Sequence, residues 1–508
     1  MKKLYTIVSL MLSSLSIMAT DFKDCSMAIK SNISTNIEKS NTTVFINGNT
    51  FSINGLKYDN TDLGNVELTN LQVINGYSDG TMVYATSEPQ YITIGGEKVA
   101  ANFRGEVRKS KFRGILNLTI NGSNYIAMIG DKAAELGQLP NAGFEEFHTA
   151  TVTIKDLLAP SGTFKSDEPN SWHSFQSATG SKKKYVGSSI DTYKEDNDKR
   201  TGSTDKRCVK IQSSIVKVVG IEKPANGTMT TGRLYAGSTS AIDPANNSTM
   251  DFADKDKDGN GDPFYPIFTT KPDAMTVWVK FKGNVKDHPN ATVKAILAND
   301  RVQDPEKDDY KKNVIARAAN KQIESKNFAW QELNIPFKYE NKNTPKGMLV
   351  TISTNAEAGK ASSDKNNLDV IYVDDIAMIY NSGLKSAQYK NTNLSFANNK
   401  TAIEIEGKAN EADFSIASDG EGAYISKVLK TNESETGKST LYITITSNDL
   451  QKSNCFEVAI TDKTATGIFN IKNDSNATSS TLYNLAGQQV SNSYKGIIIK
   501  NGKKYINK

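Results

Sequence analysis

The sequence predicts an all-β protein of several domains, on three observations. Short runs rich in Val, Ile, Tyr and Thr alternate apolar with polar residues, as in "GILNLTING" (114–122) and "LYITITS" (441–447). That period of two marks strands with one buried face. Asn-Gly pairs recur at Asn47-Gly48, Asn54-Gly55, Asn75-Gly76 and Asn121-Gly122, supplying the left-handed conformation that tight hairpins need. Hydrophobic residues make up only 37% of 508, which fits sheets with polar outer faces. That length suits about three to four domains. The 61 basic and 56 acidic residues nearly cancel, for a net charge of +5. No Arg/Lys stripe interleaved with aromatics appears, so nucleic acid is not an expected partner.

The chain opens with Lys2-Lys3, an apolar run from Leu4 to Met18, and then small and polar residues. This order is that of a secretory signal peptide, assigned to residues 1–20. A membrane anchor would need about 20 apolar residues, and Ser9, Ser13, Ser14 and Ser16 dilute this run. No later stretch is apolar enough to span a bilayer. The expected location is therefore secreted, either extracellular or on the outer-membrane surface. Cys25, Cys208 and Cys455 are odd in number and far apart, which implies no disulfide framework.

Residues 21–135 form the first domain. Leu116, Leu118 and Ile120 are expected to face its core while Asn117, Thr119 and Asn121 face water. Repeated hairpins over this length suggest an up-and-down barrel or a sandwich. The segments "TFSINGLKY", "LGNVELTNLQV" and "GEVRKSKFRGILNLTING" resemble the calycin-like β-barrel family of exported bacterial proteins. The resemblance implies a barrel that can hold an apolar ligand.

Residues 138–381 form the second. "NAGFEEF" (141–147), "TTGRLYAGS" (230–238), "KPDAMTVWVKF" (271–281) and "IYVDDIAMIY" (371–380) resemble, in this order, the carbohydrate metabolism domain family. Two of these pieces are also similar to the wider jelly-roll class of carbohydrate-binding modules. There the first and last strands meet and share a structural calcium.

Residues 384–462 have the strands "LYITITS" and "CFEVAIT" and suit a small immunoglobulin-like β-sandwich. After a polar linker, the end of the 463–508 segment carries Tyr483-Asn484-Leu485, Gly487-Gln488, Lys495-Gly496-Ile497 and Asn501-Gly502-Lys503-Lys504. These pieces resemble the C-terminal sorting domain of type IX secretion substrates, which implies that machinery as a partner. The competing reading is one more hairpin of the third domain.

Two sets of acids are candidate calcium ligands. In "DKDKDGNGD", Asp254, Asp256, Asp258 and Asp262 fall at alternate positions around Gly259, the spacing of a calcium loop. The closing glutamate is missing, because Tyr265 holds its position, so an EF-hand is excluded. A solvated insertion is the competing reading. The second set rests on the cost of burying acids flanked by Val and Ile in "VIYVDDIAMIY". The jelly-roll resemblance adds that Glu145 and Asp374 would hold one ion, with Asp375 a weaker candidate.

Three tryptophans are candidate sugar-stacking platforms. Trp278 falls opposite the core set Met275, Val277, Val279 and Phe281, and Trp330 opposite Leu333, Ile335 and Phe337. Each could instead lie in a second small core beneath a loop. Trp172 follows the first strand, where related domains carry a core tryptophan.

Catalytic motifs are missing: no His-Glu-x-x-His, no Gly-x-Ser-x-Gly and no phosphate loop occurs. No catalytic residue is assigned. The expected function is non-catalytic glycan binding, in carbohydrate capture or utilisation at the cell surface. A glycoside hydrolase and a structural or adhesive surface protein are the alternatives.

Overall fold

The computed structural model describes residues 20–200, 202–465, 481–500 and 503–507. The signal peptide read at the N-terminus lies, apart from Thr20, outside the described residues, as does most of the linker after 465. Strand occupies 53% and helix 4%, so the class is all-β. Among the described residues no helix is long and apolar enough to cross a membrane.

The N-terminal strands build one antiparallel sheet that curls as a half-barrel. Its first strand, Thr20–Ser31, pairs with both Ile37–Asn47 and Ser123–Ile129. The edges, Thr61–Leu68 and Gln72–Ile74, do not pair with each other. Its concave side is filled by side chains. Phe51 stacks on Phe103 with ring centroids 3.9 Å apart, and Phe112, Tyr58, Tyr84 and Tyr125 pack around them.

The convex side departs from expectation. Asn117 and Thr119 are buried rather than wet. Here the half-barrel docks on the third region: Asn117 Nδ2 donates to Leu450 O (3.0 Å) and Ser453 Oγ (3.2 Å). Ile115 and Ile126 pack against Tyr424 and Leu450. A strand reads as amphipathic in isolation, yet its polar face is buried once a partner offers matching donors and acceptors. A second contact joins Ile74, Tyr77 and Val83 to Phe252, Tyr265 and Leu349 of the central region.

That central region is a sandwich of two five-stranded antiparallel sheets. One runs Thr192–Glu195, Cys208–Gln212, Val370–Ile379, Ala274–Lys282, Trp330–Pro336. The other runs Thr228–Thr230, Gly347–Ser353, Ala291–Ala298, Val314–Ile323, Lys338–Tyr339. Met275, Val277, Val279 and Phe281 are fully buried between them, with Val293, Leu297, Val350, Ile371 and Val373. A hairpin, Phe147–Ile154 with Gly162–Pro169, and a three-stranded sheet, Arg233–Ala236, Asn246–Met250 and Val302–Asp304, flank the sandwich.

The third region packs a four-stranded sheet on a three-stranded one around Phe414, Leu441, Ile443 and Val458. Lys400–Ile405 runs parallel to Ser453–Asp462, a pairing that no simple hairpin provides. The strands Leu482–Asn484, Gln489–Val490, Gly496–Lys500 and Lys503–Asn507 form a separate four-stranded sheet.

Candidate functional site

A bulge creates the first constellation. In Val370–Ile379 the core-facing residues are Ile371 and Val373, then Ile376 and Met378. Parity changes because pairing with the neighbouring strand skips from Thr276↔Ala377 to Trp278↔Asp374, and Asp375 adopts φ 44°. Such an extra residue re-aims side chains, here two successive carboxylates.

Asp205 joins them, so that a carboxylate oxygen from each of Asp205, Asp374 and Asp375 lies within 4.8 Å of the others. Asp374 is fully buried; its Oδ1 accepts from the Asp375 amide (3.0 Å), while Oδ2 has no partner. Asp375 is ion-paired with Arg200, whose guanidinium sits 5.0 Å from the Trp278 ring centroid. Burial, followed by the charges of Asp375 and Asp205, pushes the Asp374 carboxyl up to about 7. Burial and the shared hydrogen bond with Asp375 also raise Asp205. Three carboxylates against one guanidinium leave two excess negative charges when all are ionised, the charge a hard divalent cation would neutralise.

Glu145 is not one of this trio. Its Oε1 accepts from the backbone amides of Lys206 (2.8 Å) and Arg207 (3.2 Å). The segment before it does run beside the bulge: Ile376 N donates to Ala142 O (3.0 Å). A methyl placed on Gly143 would lie 3.6 Å from Asp205 Oδ2 and 3.7 Å from Asp375 Oδ1. Glu145 therefore holds the loop that delivers Asp205. The 196–207 segment reads in sequence only as a polar stretch, which is why Asp205 and Arg200 were missed.

The same loop covers the tryptophans. Trp278 and Trp330 lie on the outer face of their sheet, half-buried. Trp330 Nε1 donates to Asp198 Oδ1 (3.3 Å), and Lys280, between them, is bonded to Asp198. Phe328 and Tyr372 complete a small outer core. Trp172 is wholly buried, edge-on to Phe144 at 5.2 Å, with Nε1 donating to Pro140 O (3.1 Å). It offers no face to a sugar.

In the acidic loop the carboxylates turn to different partners. Asp254 and Asp256 meet Arg233 at 3.6 and 2.6 Å. Asp262 Oδ2 accepts from Ser171 Oγ (3.2 Å) and Asn260 Nδ2 (3.0 Å). Asp258 points inward: its Oδ2 lies 3.3 Å from His173 Nε2 and 3.7 Å from His148 Nε2. Burial pushes Asp258 up, but His173, the Asp262 amide and His148 outweigh it and hold the carboxyl below its ordinary value. The four carboxylates thus turn to separate partners, Arg233 for Asp254 and Asp256, Ser171 and Asn260 for Asp262, and the two histidines for Asp258.

A groove of 370 Å³ crosses the outer face of the second sandwich sheet. Phe175, Tyr185 and Tyr235 give it aromatic surface, and Tyr235 is 41% exposed. Asn226 Oδ1 and Thr351 Oγ1, also in its lining, are buried polar atoms without a hydrogen-bond partner. No single run of sequence marks this groove, because its lining comes from strands distant in the chain. Compared with known proteins, the chain matches no family model, and no curated protein matches it.

Proposed function

We propose that this chain is an exported, non-catalytic glycan-binding β protein, working in carbohydrate capture at the cell surface through the groove beside Tyr235. The observation that carries this reading is the pairing of aromatic surface with the unpartnered Asn226 Oδ1 and Thr351 Oγ1. A saccharide presents an apolar ring face together with hydroxyl donors, the two things such a lining can accept. Of the two carboxyls raised in the bulge cluster, Asp374 is fully buried and so is placed to hold an ion or a proton, not to reach a sugar, while Asp205 is half-buried. Calcium at Asp205, Asp374 and Asp375 serves to stiffen the sandwich, and the last strands serve type IX export.

A glycan array with the full chain, followed by titration of the best hit, tests the proposal. Saturable binding that Tyr235→Ala and Asn226→Ala weaken is expected. Binding that persists unchanged in both variants removes the groove. A parallel melt with and without chelator reads the calcium. Free ion at about ten times its dissociation constant adds about 1.4 kcal/mol, and Asp205→Asn abolishes that gain.

A further inference from the structure

The chain has three histidines, and two of them, 25 positions apart, converge on one carboxylate. His148 is on the strand Phe147–Ile154 and His173 follows the strand Gly162–Pro169. Each ring is oriented from its far side. His173 Nδ1 lies 2.7 Å from Gly232 O, which can only accept, so Nδ1 carries the hydrogen. His148 Nδ1 lies 3.2 Å from Asn170 Oδ1. The amide of Asn170 is fixed in this sense because its Nδ2 donates to Glu146 Oε2 (3.4 Å). In the neutral rings both Nε2 atoms therefore present lone pairs.

Those lone pairs face anions. His173 Nε2 is 3.3 Å and His148 Nε2 3.7 Å from Asp258 Oδ2, and His148 Nε2 is 3.6 Å from Glu168 Oε2. The side chains of His173, Asp258 and Glu168 are 0% exposed and that of His148 9%. His148 Nε2, His173 Nε2 and Asp258 Oδ2 make no hydrogen bond. Lone pairs held against carboxylate oxygens in a buried place repel unless a cation stands between them, either a proton taken up by the ring or a metal ion.

We infer that His148, His173 and Asp258, with Glu168 beside them, bind a divalent transition metal ion of the zinc class. Imidazole and carboxylate are the ligands such an ion prefers. The His173–Asp258 spacing of 3.3 Å equals the edge of about 3.3 Å expected of a tetrahedron with ligands at about 2.0–2.1 Å, whereas His148 stands further out, 3.7 Å from Asp258 and 3.6 Å from Glu168. The groups form an open arc centred on Asp258, not yet a cage in which all ligand atoms lie within 4.8 Å of one another, so the ion draws the rings together. Outer partners of the kind metal ligands carry are already present. Asp258 Oδ1 accepts from the amides of Asn260 (2.9 Å) and Asp262 (2.8 Å). Glu168 Oε1 accepts from Ser174 N (2.8 Å), and Oε2 from Ser177 Oγ (2.6 Å). The ion would staple the acidic loop to the hairpin and its following turn.

The test uses the full chain, stripped with chelator, dialysed into excess calcium and titrated with Zn²⁺, and in parallel with Co²⁺. One zinc per chain is expected, together with visible Co²⁺ bands of a nitrogen- and oxygen-ligated site. His173→Gln and Asp258→Asn should each weaken zinc binding at least ~10-fold. His148→Gln, at the partly open rim, does the same and keeps the test decisive if a more buried variant fails to fold. His288→Gln, at the third histidine, which pairs with Glu357 away from the site, leaves it unchanged. Absence of stoichiometric zinc, or zinc uptake that ignores the histidine and Asp258 variants, overturns the proposal.

Discussion

Trp278 pairs with Asp374 across adjacent strands of the sandwich, at the point where a bulge shifts the register. Indole and carboxylate share one outer face, roofed by Asp198 and Arg200. Arg200 lies over this face, ion-paired to the adjoining Asp375 and with its guanidinium 5.0 Å from the Trp278 ring centroid.

That arrangement predicts a pH dependence. The Asp374 carboxyl rises from 3.8 to about 7 on folding, through burial first and neighbouring charge second. The folded state thus holds a proton the unfolded chain releases. Its stabilising contribution is complete below about pH 4 and is lost as pH climbs to about 7. Buried Asp191, pushed up to about 8, acts in the same direction. Metal-free melting temperature should therefore fall between pH 5 and pH 8 by this contribution, measured by calorimetry in chelator. Asp374→Asn should flatten the fall, Asp191 supplying what remains, and calcium should oppose it by favouring the ionised trio.

Trp172 anchors the turn that carries His173. Trp172→Ala should cost about 3–5 kcal/mol, from lost burial and a cavity, and also leave Pro140 O without its donor. Trp172→Phe should cost less. Urea unfolding followed by circular dichroism checks both.

Asn117 joins the half-barrel to the third region. Asn117→Ala leaves Leu450 O without its Asn117 donor and removes an acceptor from Asn124, whose Nδ2 donates to Asn117 Oδ1 (2.7 Å). A loss of about 1–3 kcal/mol is expected. Hydrogen exchange should show protection falling on both sides of the contact, around 115–118 and 446–453 together. A change confined to one side would argue that the two units do not stabilise each other.

Asn226→Ala should cut glycan affinity by about 3- to 10-fold, the size of one hydrogen bond. Tyr235→Ala should cut it more, since an exposed aromatic contributes area as well. Titration calorimetry of the best array hit measures both, with Trp278→Ala as the variant expected to bind normally.

The all-β class could be read from the chain because period-two alternation and Asn-Gly turns are local properties. Val277 and Val279 face the core and Trp278 does not, as their alternation alone indicates. The site was less legible. A carboxylate in an apolar strand flags Asp374 as costly, but nothing in the run announces that Asp205, 169 residues earlier, will meet it. The acidic loop shows the same limit. Its spacing suits a cation, but nothing in the run announces that Arg233 will meet Asp254 and Asp256 or that His148 and His173 will face Asp258.

By itself, then, the sequence determined the strands, their apolar faces, and which acids would be expensive to bury. Tertiary structure decided which polar faces stay wet, which acids come together, and where an open groove remains. The division is physical. Backbone pairing and side-chain parity depend on neighbours a few residues away, whereas burial of a charge depends on whatever distant segment covers it.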